Sequence, residues 1–103
     1  MAVKNYRDNA TPSAIVSGAF GTEVIVLDSD GEGQGSDQEC REVTIWVEEA
    51  KDVNMGNSAI NAASGPLLPN GVSNHPIVLA ISNTNLLFFD GTAADKVNII
   101  WRS

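Results

Sequence analysis

Glu42-Val43-Thr44-Ile45-Trp46-Val47-Glu48 decides the fold of this chain. Val43, Ile45 and Val47 alternate with Thr44, Trp46 and Glu48, a period of two that puts one set on each face of a half-buried strand. Outward from it the same signal recurs. Glu23-Val24-Ile25-Val26-Leu27 is a β-branched run, read as a strand with both faces at least partly covered. His75 to Ile81 is read as another, with Pro76 at its beginning, where a missing N–H is tolerated. Asn85 to Phe89 and Val97 to Trp101 complete the strong set; Ala14–Val16, Asp52–Met55 and Ser58–Ile60 are weaker candidates. Ala59 to Ser64 has helical composition, but Gly56, Gly65 and Pro66 box it in, and so short a helix does not form on propensity alone.

Turn dipeptides tolerant of positive φ, Asp30-Gly31, Asn70-Gly71 and Asp90-Gly91, punctuate the strands. Short strands at this spacing predict an all-β fold, a single small β-sandwich or jelly-roll-like barrel over residues 13–103. A polar N-terminal arm, residues 1–12, is expected to order against a neighbour, with Val3, Tyr6 and Arg7 among its contact residues.

The 103 residues suffice for one core, and 43% apolar content is that of a globular chain. No apolar run is long enough to span a membrane, and Met1 to Asn9 lacks the apolar stretch of a secretory signal. Thirteen acidic against six basic side chains give a net charge of −7. The basic residues are scattered, so nucleic-acid binding is not expected. The single cysteine, Cys40, excludes an internal disulfide and suits a reducing compartment.

Chemistry-bearing motifs are few. Asp28, Asp30 and Glu32 fall at positions 1, 3 and 5 of a calcium-loop template, with Gly33 at 6 and Glu39 at 12. The flanks read as strands, Glu32 sits at position 5 and Gly35 stands where an aliphatic residue is usual, so the stretch reads as a solvated, flexible acidic hairpin loop, with calcium binding as the alternative. No other cofactor is indicated. Cys40 and His75 have no partner in sequence, the serines lie in no nucleophile elbow, and Glu48 and Glu49 point to opposite faces of a strand. Catalysis is not expected. Trp46 and Phe89 are the aromatics singled out as subunit-contact anchors, with packing in a second layer as the alternative for Trp46.

From Cys40 onward the order of segments resembles small tailed-bacteriophage virion proteins. The pieces are Cys40-Arg41-Glu42-Val43-Thr44-Ile45, Val53-Asn54-Met55-Gly56 with Ile60, Gly65 to Gly71, Ile77 to Ile81, Asn85 to Gly91, and Val97 to Trp101. The resemblance covers about 60 residues; the loop after Leu27 and the N-terminal arm depart from it. It implies a capsid decoration (cement) or head-fibre protein, made in the host cytoplasm and located on the capsid surface. Its partners would be the major capsid protein and copies of itself, a trimer being the expectation. A tail or fibre module that binds host glycan and a head–tail connector are the alternatives.

Overall fold

The computed structural model describes residues 19–71 and 75–103. Among these residues seven strands, β1 (Phe20–Val26), β2 (Glu32–Gln34), β3 (Glu42–Val47), β4 (Asn54–Gly56), β5 (Ile77–Leu79), β6 (Phe88–Asp90) and β7 (Lys96–Arg102), form two antiparallel sheets. The larger has the order β1-β7-β3-β5 and the smaller β2-β6-β4. The expected all-β sandwich is what these residues build. The arm (1–12), with Val3, Tyr6 and Arg7, and the candidate strand Ala14–Val16 lie outside the described residues.

Burial follows the two-residue rhythm. Val43, Ile45 and Val47 are fully enclosed, as are Val97 and Ile99 of the neighbouring β7, and the register sets Val47 beside Val97 and Ile45 beside Ile99. Ile25, Leu27, Val53, Leu68, Leu87 and Phe89 fill the space between the sheets. Trp101 packs against this core over Gly21, whose missing Cβ leaves room for the indole. Gly31, at φ 76°, turns the chain between β1 and β2, a conformation that costs other residues steric strain.

Four expectations are corrected. Glu23 to Leu27 is well covered on one face only, because no described element packs on the outer face of the larger sheet, where Val24 and Val26 point to solvent. Ser58 to Ile60 is not a strand: Ser58 caps α1 (Ala59–Ala63) by accepting from the Asn61 N–H at 3.2 Å. Asn85 to Phe89 is a strand only from Phe88, since Asn83 Oδ1 accepts from the Asn85 N–H at 2.9 Å and winds Thr84–Leu86 into a 3-10 turn. The acidic loop keeps its carboxylates in solvent, as expected, but its backbone is ordered. Its middle is β2, and its end is tied down by the Thr84 hydroxyl, donating to the Ser36 carbonyl at 2.6 Å, and by Asn83 Oδ1, accepting from Gln38 N.

Candidate binding face

The two outer faces of the sandwich differ. On the smaller sheet, α1 lies over β4 and β6, its Ala62 fully buried beside Gly56. On the larger sheet no described element covers the outer face.

Register assigns that bare face residue by residue. Odd-numbered residues of β7 and β3 face the core, so the even-numbered ones face out, and pairing carries the pattern to β1 and β5. One row runs Thr22, Ile100, Thr44, Val78; the next runs Val24, Asn98, Trp46. Phe20 and Val26 close the two ends of β1. Phe20 is 71% exposed, Val78 56%, and Val24 and Val26 55% each. Trp46 and Ile100 are half-buried among their neighbours. Apolar side chains thus meet on the diagonals of all four strands, with the uncharged Thr22, Thr44 and Asn98 between them, where solubility alone would favour charge. The charges present are marginal: Glu42 and Arg102 meet at 3.8 Å at one end, both substantially exposed, and Lys96 lies at the other.

Trp46 therefore belongs to this face and not to a second core layer. Phe89 does not belong to it. It is 1% exposed, in the smaller sheet with its ring toward the core between Met55 and Gly33, so its assignment as a subunit-contact anchor is corrected. The partners Phe20, Val24, Val26, Val78 and Ile100 were missed as contacts. The alternation in Glu23 to Leu27 was the available signal, but a β-branched run reads equally as a strand buried on both sides.

The calcium-template residues are not brought together. Asp28 Oδ1 accepts from the N–H groups of Asp30 (2.9 Å) and Glu32 (3.0 Å), closing the turn into β2, and Glu39 bridges to Asn83 farther along. Among the described residues no three His, Cys, Asp or Glu side chains gather as a metal site would need. Asp28, Asp30, Glu32 and Glu39, the residues of the calcium template, are thus held apart in this structure, with β2 (Glu32–Gln34) running between the first pair and Glu39. The Cys40 thiol is enclosed, donates to the Ile81 carbonyl at 3.4 Å, and is pushed above its ordinary pKa by burial, which suppresses the thiolate a nucleophile needs. His75 is exposed.

Comparison of the chain with protein-family models, curated proteins and solved structures returns no match.

Proposed function

We propose that this chain is a non-catalytic structural domain of a tailed-bacteriophage virion that decorates the capsid and stabilises it, acting as a homo-oligomer. The observation that carries the binding role is the outer face of the larger sheet, which no described element covers and where Phe20, Val24, Trp46, Val78 and Ile100 alternate with Thr22, Thr44 and Asn98. The order of segments from Cys40 to Trp101, which resembles small virion proteins, directs the role to a capsid. A protein that binds only an assembled lattice stabilises it by its binding free energy, and many modest contacts on one shell act together.

The experiment is co-sedimentation of the purified protein with capsids that lack it, with copies per particle counted and capsid melting followed. Wild-type protein is expected to occupy the shell in many copies and raise the melting temperature. The Val24→Lys variant, altered on an exposed side chain, is expected to stay folded and lose occupancy. Absence of capsid binding by wild type would overturn the reading. A single ring of copies would make the chain a connector instead, and binding only to glycan would make it an adhesion module.

A further inference from the structure

The margin of β1 that faces away from β7 has no partner strand among the described residues, an observation independent of the capsid reading. Ser103 N donates to the Ala19 carbonyl at 2.9 Å and Leu27 N to the Asp95 carbonyl at 2.8 Å. Odd-numbered residues along β1 therefore direct their backbone groups at β7, and Phe20, Thr22, Val24 and Val26 direct theirs away from the sheet. β1 is the terminal strand of its sheet, and these four backbone N–H and C=O groups have no partner among the described residues. Natural edges of this length are usually blunted by lysine, proline or a bulge. β1 has neither lysine nor proline, and its seven residues pair with β7 in unbroken register; its one guard is the inward-pointing charge of Glu23, which turns away strands that bring no cation to it.

The charge beside this edge has one sign. From Phe20 to Ser36 the chain holds four carboxylates, Glu23, Asp28, Asp30 and Glu32, and no Lys, Arg or His; Asp37 and Glu39 are tied to Asn83, past β5. The nearest cations on the sheet, Lys96 and Arg102, lie one strand inward on β7, and Arg102 meets Glu42. Glu23 is the central residue of β1. Its Oε2 accepts from Ser36 N at 2.9 Å, whereas its Oε1 is buried with no hydrogen-bond partner among the described residues. A buried carboxylate oxygen without a donor is costly, and a donor arriving along the edge would relieve that cost.

We infer that the β1 edge accepts an extended, basic segment of a different polypeptide, which adds to the larger sheet as a fifth strand. Backbone groups of Phe20, Thr22, Val24 and Val26 supply the ladder. A Lys or Arg of the incoming strand opposite Glu23 supplies Oε1 with its missing donor, since directly opposed side chains on one face lie about 5 Å apart. The residues on either side of that cation face outward with Thr22 and Val24 and are apolar. A second copy of this chain fits poorly, because β1 against β1 brings two acidic margins together and, in the register centred on this strand, sets Glu23 against Glu23.

Hydrogen exchange of the full chain, with and without the peptide Lys-Val-Thr-Val-Arg-Val-Thr-Val-Lys, tests the inference. In the free protein the amides of Phe20, Thr22, Val24 and Val26 are expected to exchange fast while those of Gly21, Glu23 and Ile25 are protected; saturating peptide should slow the first group about tenfold or more. Replacing the central Arg by Glu is expected to weaken binding about tenfold or more, and Glu23→Gln to remove most of that discrimination while keeping the bond to Ser36 N. Val24→Pro deletes only an outward N–H and should abolish peptide binding in a folded protein. Unchanged exchange at the four amides with peptide at saturation, or equal affinity for the Arg and Glu peptides, would overturn it. So would slow exchange there without peptide: in a monomer that would mean residues 1–18 fill the edge, and in a dimer, a second copy.

Discussion

Phe20 and Phe89 show how position, not residue type, fixes what an aromatic does here. Phe89 is enclosed between the sheets and touches side chains from both, whereas Phe20 stands 71% exposed at the end of β1. Truncating the first removes a ring from a close-packed interior. Phe89→Ala is therefore expected to lower unfolding free energy in urea by about 3–5 kcal/mol. Phe20→Ala is expected to change it by no more than about 0.5 kcal/mol, because its ring loses little that solvent does not replace. A large loss from Phe20→Ala would show that something covers the outer face in solution. Sequence alone could not rank the two phenylalanines. Phe88 and Phe89 are adjacent, so alternation says that they point oppositely without saying which is inside.

The turns show which elements carry strain. Ala94 adopts φ 71° in the tight turn before β7, where its N–H donates to the Leu27 carbonyl at 3.0 Å, and Ala50 adopts φ 65° after β3. A Cβ in this region costs roughly 1–2 kcal/mol, which exceeds the extra unfolded-state freedom of glycine. Ala94→Gly is expected to raise stability by about 0.5–1 kcal/mol, read as a higher urea midpoint at unchanged slope; a lower midpoint would contradict the geometry. These alanine turns carry no signal in sequence, unlike Asp30-Gly31 and Asn70-Gly71, whose glycines lie at φ 76° and 79°. The same contrast runs through the elements. β3 and β7 were legible because their alternation is long and one face is fully enclosed. β2 was not, since Glu32-Gly33-Gln34 has no apolar side chain and is a strand only because β6 offers it a ladder. Of the candidate face, Trp46 was legible from β3, while its neighbours from β1 and β5 required knowledge of which strands pair.

At the scale of the molecule, the sandwich is joined by contacts between distant parts of the chain. β7 stands between β1 and β3, with Trp101 paired to both Gly21 and Val43. Removing residues 96–103 takes out an interior strand that carries Val97, Ile99 and Trp101. Such a chain is expected to lose cooperative unfolding and its β-type circular dichroism altogether; retention of a sharp transition would mean that the smaller sheet folds alone. The order of synthesis adds to this. On a ribosome, β1 and β3 emerge well before the ribbon that fastens them, and each waits with its apolar side open to other nascent chains. Closure over so long a stretch of polypeptide is slow compared with a simple meander. Yield in the cell should therefore depend more on chaperone shielding and growth temperature than the small size of the domain would lead one to expect.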